Sequence, residues 1–432
     1  MQPEKTLAHR VADAEWPVWG TIGGETEATM VRAHSPRPVR SRRLVPAVVV
    51  SATLLLAGCG GGGGGGPEGP QVTATILEPA DQAIDVPTST PIVFATENAV
   101  EATVTLEDLA GNQVDGELSP DGTRWLPAAQ LEWGTTYVAT LTAVSSEGEP
   151  VITASTFTTM PEPPRSNTIR VFSYLASDDE VGVAMPLRIE FKDDADRPQE
   201  IPEEYRAEVE RRMRVRTEPP QEGTWHWRSG WEVHYRPKEF WQPGTQISYN
   251  LTTGGLPVGE DRYLRNDLHV NVTVGDEITM TVDADTRQMT VRKDGEVIRT
   301  IPVSLGRPDY PSSSGIHVIM EKFQETVFDT FEELGPEDGY RVDIEYAMRY
   351  TRSGEFIHAT VRSGEELGTE NVTHGCINMS RENAEWLFNL THRWGDPVIV
   401  EGTTRTVAPD DGWTDWNLSW EEYLRGSALY DG

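Results

Sequence analysis

Residues 135–143 read TTYVATLTA and residues 101–108 read EATVTLED. In both, apolar residues recur at every second position. Successive side chains of a strand point to opposite faces, so this period describes strands with one face buried. Val, Thr and Ile recur across residues 71–160, and Gly or Pro interrupts them at short intervals. That is the pattern of a short-stranded β-sandwich.

The same pattern returns over residues 167–274, and the two stretches share landmarks. Five residues separate Val86 from Pro91 and Val181 from Pro186. Seven separate Pro127 from Gly134 and Pro237 from Gly244, and each Gly is followed by Thr and a strand. Between these anchors the second copy is 15 residues longer, a difference that takes in DRPQEIPEEYRAEVERR at 196–212. We therefore expect two immunoglobulin-like sandwiches, 71–160 and 167–274, joined by the proline-rich hinge MPEPPRS at 160–166. Both are expected to act as spacers. Trp225, Trp227 and Trp231 are expected to pack the second core, with carbohydrate contact as the alternative.

A third unit is expected over residues 275–402, with a Trp-rich extension over 403–432. The stretch 278–306 reads strand, turn, strand, turn, strand, with Asp294-Gly295 as a hairpin turn. In SRENAEWLFNLTHRW at 380–394, Ala384, Leu387, Phe388 and Leu390 follow helical spacing. Ser380 stands as N-cap with Asn383 three residues on. DPVIVEG at 396–402 returns as a strand. The expected fold class is mainly β: two immunoglobulin-like sandwiches, then a mostly-β unit with one main helix.

The N-terminus carries the parts of an export signal. Arg37, Arg40, Arg42 and Arg43 precede an apolar run at 44–56, which ends in LAGC at 56–59. The run is short for a membrane span, which needs about 20 residues. LAGC resembles the bacterial lipobox. The resemblance implies that 1–58 is a signal peptide and that Cys59 becomes the lipidated first residue of the mature chain. Residues 1–29 are mixed in charge, and Met30 offers an alternative start for a more ordinary signal. Gly60 to Gly66 follow at once, so 59–70 reads as a flexible tether.

Lys plus Arg total 37 and Asp plus Glu total 69, a formal net charge of −32. Phosphate contacts need basic surface, so unaided nucleic-acid binding is excluded. Removal of 1–58 takes away seven basic and five acidic residues and leaves −34, so the acidity belongs to the exported part.

The chain has two cysteines, Cys59 and Cys376, in unrelated contexts, so a disulfide framework is not expected. Cys376 lies in THGCINMS at 373–380. His358, at the end of the strand-like GEFIHA, precedes it by 18 residues, enough for a strand, a loop and a return. A free thiol has a pKa of about 8.5. An adjacent imidazole can take its proton and supply the nucleophile. Two other readings stand beside this one. His358, His374 and Cys376 offer three zinc ligands with an open fourth position, and Cys376 can be a buried structural residue.

The stretch HATVRSGEELGTENVTHGCINMS at 358–380 closely resembles the signature of the L,D-transpeptidases, the YkuD-like catalytic domain. Thr373, His374, Gly375, Cys376, Ile377 and Asn378 match its Ser/Thr-His-Gly-Cys-x-Asn core, and the similarity runs from about residue 275 to 426. Two immunoglobulin-like units ahead of it resemble the actinobacterial, mycobacterial-type lipoprotein branch. The resemblance implies a cysteine nucleophile at Cys376 and a general base, then acid, at His358. It implies that a backbone carbonyl, that of Ala359, orients His358, and that the Gly375 and Cys376 amides form an oxyanion hole. It implies substrate-shaping roles for Tyr340, His374, Asn378, Thr373 and Phe328, the last replacing a frequent methionine. Residues 323–352 would form a lid.

The implied reaction is formation of 3→3 peptidoglycan cross-links through a thioester, with release of D-alanine. The implied partners are a donor tetrapeptide stem, an acceptor amine, and carbapenem-type β-lactams as inhibitors, with no cofactor. A lipid anchor would hold the protein on the outer face of the cell membrane, facing the wall. L,D-carboxypeptidase or hydrolase action, and a non-catalytic wall-binding spacer, are the alternatives.

Overall fold

Alternation in the sequence becomes alternation in burial. In the strand Thr136–Val144, Tyr137, Ala139, Leu141 and Ala143 are buried and the residues between them are half-buried. This is a computed structural model describing residues 71–432 other than 120, 330, 332–334, 337, 338 and 340. The expected signal, lipidation site and tether, with Cys59, lie outside the described residues, as does Tyr340.

The first sandwich pairs a sheet of four strands with one of five. The strands Ala83–Val86, Pro150–Thr159, Thr136–Val144, Glu101–Asp108 and Gln113–Val114 form the larger sheet in that order. Ile92, Phe94, Leu106, Trp125, Tyr137, Leu141 and Phe157 fill the space between the sheets.

The second sandwich repeats the plan with sheets of six and four strands. The repeat extends to individual hydrogen bonds. Leu131 N–H donates to Thr88 O (3.0 Å) in the first copy, and Trp241 N–H donates to Val183 O (2.8 Å) at the matching positions of the second. Gly134 and Gly244 both take positive φ, 58° and 79°, where a side chain would be strained. The longer second copy carries a helix, Glu203–Arg211, within the charged insertion. Trp225 and Trp227 are buried, and their indole N–H groups donate to Met213 O (2.9 Å) and Glu210 Oε2 (3.0 Å). They pack the core, as expected.

The third unit has a six-stranded and a four-stranded sheet. The first runs Glu296–Pro302, Gln288–Lys293, Ile278–Asp283, Pro397–Glu401, Ser313–Val318, Arg405–Thr406. The second runs Glu321–Asp329, Arg341–Arg349, Phe356–Ala359, Ile377–Met379. The Asp294-Gly295 turn has φ of 50° and 80°, the double positive φ of the tight hairpin read from the sequence. The helix Arg381–Leu390 starts where expected, and the Ser380 hydroxyl accepts from Asn383 N–H.

The second sandwich packs directly against the third unit and the C-terminal extension. Gly182 and Ala184 N–H donate to Trp394 O and Gly395 O of the third unit, both at 2.8 Å. Trp413 and Trp416 of the C-terminal extension join the second sandwich's own hydrophobic cluster, and Trp416 Nε1–H donates to Ala184 O at 2.8 Å.

Candidate active site

The strands Phe356–Ala359 and Ile377–Met379 lie side by side and parallel, with Ile357 opposite Ile377 and His358 opposite Asn378. Strand side chains alternate, and the two faces separate cleanly. Ile357, Ala359, Ile377 and Met379 enter the main core of the unit. Phe356, His358 and Asn378 take the other face, and Cys376, two residues before Asn378, joins Phe356, Ile344 and Ala347 in a small separate cluster. The chain thus returns the thiol, 18 positions after His358, to the face that carries the imidazole.

His358 is buried, and its Nδ1 lies 2.8 Å from Ala359 O. A carbonyl only accepts, so Nδ1 carries the proton and Nε2 keeps its lone pair. Burial pushes the imidazole down to about 4, against the smaller upward pull of that carbonyl. Burial likewise pushes the Cys376 thiol up to about 12, with the Glu355 charge adding to the rise and the Phe356 N–H opposing it. The resting pair is therefore a neutral thiol and a neutral imidazole. Cys376 Sγ faces Gly354 O at 3.9 Å, a long and weak contact that leaves the thiol proton free to be redirected.

The turn ahead of Cys376 is tightly tied. Thr373 Oγ1 donates to Cys376 O (2.7 Å) and accepts from Gly375 N–H (3.1 Å). The Gly375 amide, expected in the oxyanion hole, is thus already engaged within the turn and must leave or share that acceptor to serve there. Thr373 N–H donates to Leu305 O at 3.0 Å, which anchors the turn to the neighbouring segment. His374 is half-buried, with its ring edge-on to Tyr310 at 4.9 Å. Asn378 is buried, and its Oδ1 has no hydrogen-bond partner among the described residues. Phe328, on the outer hairpin Glu321–Asp329 with Arg341–Arg349, packs edge-on to Phe356 at 5.6 Å and closes over the Cys376 cluster. That hairpin is the framework of the expected lid.

Among the described residues no group of three or more His, Cys, Asp or Glu side chains converges as metal ligands. His392, a third histidine near Cys376 in sequence, instead pairs with the buried Asp396 at 2.8 Å beside the second sandwich.

Several residues here escape sequence reading. Glu355, Tyr350, Ser312 and Ser313 form a buried polar group behind the turn, and the exposed Arg405 reaches in to Glu355 from the surface. Its one sequence signal is a charge at the head of the apolar FIHA strand. Arg352, in the loop that carries Gly354, reaches Glu232 of the second sandwich at 3.2 Å.

Fold and site together define a class: a β-rich protein with a buried cysteine and histidine on one face of a parallel strand pair. A family model for the L,D-transpeptidase catalytic domain matches residues 277–400, and one for a bacterial Ig domain matches residues 83–257. The chain is 31% identical over 364 residues to L,D-transpeptidase 2 of Mycobacterium tuberculosis (strain CDC 1551 / Oshkosh), covering 83% of this chain and 85% of that protein. It is 34% identical over 373 residues to L,D-transpeptidase 5 of Mycobacterium tuberculosis (strain ATCC 25618 / H37Rv), covering 84% and 78%. A solved structure of an L,D-transpeptidase in complex with imipenem aligns at a TM-score of 0.45 and 30% identity, over 56% of this chain and 100% of that one. The chain belongs to the L,D-transpeptidase family.

Proposed function

We propose that this protein forms 3→3 peptidoglycan cross-links through a thioester on Cys376. The single observation that supports this most is the placement of Cys376 and His358 on one sheet face, with the His358 tautomer set by Ala359 O. Nε2 is then free to accept the thiol proton as Sγ attacks the carbonyl carbon of the donor stem. The C–N bond to D-alanine breaks, the proton passes from Nε2 to the departing amine, and a thioester remains. The side-chain amine of an acceptor stem attacks the thioester, gives its proton to Nε2, and the thiol is restored. No electrons are exchanged with an outside agent, and every proton is accounted for.

Both partners rest neutral, so the reactive thiolate–imidazolium pair arises as substrate engages rather than standing ready. The developing oxyanion needs a donor. We assign it to the Cys376 amide, with Gly375 sharing only if the turn to Thr373 relaxes. Asn378 Oδ1, buried and without a partner among the described residues, is suited to accept from a substrate N–H. His374, Thr373 and Phe328 shape the pocket, and Tyr340 is proposed to border the oxyanion. A β-lactam presents a strained amide carbonyl to the same sulfur, so carbapenems are proposed to acylate Cys376. We also propose that Cys59 carries the lipid and that the enzyme works on the outer face of the cell membrane, towards the wall.

Incubation of the protein with a disaccharide-tetrapeptide tests the reading. The expected products are free D-alanine and a dimer linked between two diaminopimelate residues. Free tripeptide in place of dimer would turn the assignment to a carboxypeptidase. Absence of any D-alanine would reject both.

A further inference from the structure

Behind the Gly375–Cys376 turn lies a charge that the proposed chemistry does not use. Glu355 is 4% exposed, at the head of the strand that bears His358. Its Oε2 accepts from Ser313 N–H (3.1 Å), Ser313 Oγ–H (3.0 Å) and Tyr350 O–H (3.0 Å). Its Oε1 accepts from the Arg405 guanidinium at 2.5 Å. Ser313 N–H and Arg405 can only donate, and each meets a different oxygen. Four donors converge on the two oxygens, one of them a cation, an arrangement that favours the carboxylate.

The turn rests on this carboxylate. Gly375 O accepts from Ser312 Oγ–H at 2.6 Å and lies 3.3 Å from Tyr350 Oη, which Glu355 holds in place. A Cβ added at Gly375 would sit 3.3 Å from Glu355 Cγ, so carboxylate and turn are in direct contact. A buried carboxylate is costly unless it is paired and fully hydrogen-bonded. Here it also places negative charge beside the sulfur that must become a thiolate, and that charge makes the thiol harder to ionise. An apolar residue would fill the space without that penalty.

Arg405 resolves the conflict. It comes from the short strand Arg405–Thr406, which pairs with Ser313 and Ser314. Burial raises the Glu355 carboxyl above its ordinary value, and Arg405 is the largest of the groups that oppose that rise. The other titratable groups around the pair are Tyr350, His317 and Asp411. Tyr350 is held well above its ordinary value and stays neutral, and burial lowers His317, whose ring is 5.0 Å from Tyr350. Asp411 brings a second carboxylate to 4.0 Å from Arg405, and it also holds Ser353. His358 is neutral for the reasons given above.

We propose that Glu355 and Arg405 are a positioning pair, in which the carboxylate fixes the Gly375–Cys376 turn and the guanidinium cancels its charge beneath the nucleophile. This rests on Cys376 being the nucleophile. Both act through the turn.

The test follows alkylation of Cys376 by iodoacetamide at pH 8 in the full chain, read on the peptide that carries Cys376, with D-alanine release measured in parallel. Glu355→Gln removes the negative charge and is expected to speed alkylation. Arg405→Gln leaves the carboxylate uncompensated and is expected to slow it, tenfold for each pKa unit the thiol rises. The double variant should fall between the two. D-alanine release should lose kcat in Arg405→Gln with KM unchanged. A merely structural role would move both single variants in the same direction, and that result, or no change in either, overturns the proposal. If Glu355→Gln does not fold, Arg405→Lys and Arg405→Gln decide. Retention by Lys with loss in Gln supports the pair, and equal behaviour of the two rejects it. If alkylation follows the pattern while the unmodified protein releases no D-alanine, the pair stands and the transpeptidase reading fails.

Discussion

Cys376 and His358 meet as two neutral groups, and this governs their pH behaviour. His358 is lowered to about 4 and is therefore neutral above it, while Cys376 is raised to about 12 and is protonated below it. Neither titrates in between. Acylation by a carbapenem should therefore stay flat from about pH 5 to about pH 9 in stopped-flow measurements. A bell with midpoints at ordinary imidazole and thiol values would contradict the neutral pair. His358→Gln should slow acylation by about 10²–10⁴ while the melting temperature holds. Stability carries the same signature. Between about 6.5 and 4 the unfolded chain takes up a proton that folded His358 refuses, so His358 makes the fold less stable as pH falls through that window. The placement of Cys376 and His358 on one face was legible because the THGC motif is local and the histidine stands one strand away. Glu355 was not: its meaning depends on Arg405, 50 residues further on.

At the scale of elements, the site is a parallel strand pair entered through one glycine turn. Gly375 has φ of 127°, outside what side chains readily adopt, and a Cβ there would crowd Glu355. Gly375→Ala should cost about 1–3 kcal/mol of strain. It should also slow acylation far more than it lowers the melting temperature, because the strained backbone is the one that carries the sulfur. The sequence exposes elements whose signals are local. The Asp294-Gly295 hairpin and the Ser380-capped helix are of this kind, each set by residues a few positions apart. The helix Glu203–Arg211 gives no such signal, since its buried residues are Val209 and a carboxylate, Glu210, met by Trp227 and Ser427 from elsewhere.

Across the whole molecule, the second sandwich, the catalytic unit and the C-terminal extension are joined through buried charge. His234 is 1% exposed, with Nδ1 at 3.0 Å from Asp415 and Nε2 at 2.9 Å from Glu232. Both ring nitrogens face carboxylates, so the ring is an imidazolium and its pKa is raised, the two carboxylates outweighing burial. Its contribution is fully present below about 6.5 and is lost as pH rises through the folded value. His234→Gln should cost about 3–5 kcal/mol in urea unfolding at pH 6, and the gap should narrow at high pH. Glu232 also binds Arg188 at 2.6 Å and Arg352 at 3.2 Å, the latter on the loop whose Gly354 faces Cys376. Arg352→Ala should therefore slow acylation without altering any residue that touches substrate, as a progress curve with a chromogenic β-lactam would show. The duplication was legible because its landmarks are evenly spaced along the chain. The seating of Trp413 and Trp416 in the second sandwich was not, because it joins segments more than two hundred residues apart, such as Trp416 and Ala184.

Acylation of Cys376 carries the proposed function. It is read by intact mass of the protein after brief exposure to a donor tetrapeptide, followed by peptide mapping. The expected result is an added mass equal to the donor less D-alanine, located on the Cys376 peptide, absent from Cys376→Ala and unaffected by EDTA. An unmodified Cys376 in protein that still releases D-alanine, with activity lost on chelation, would contradict it.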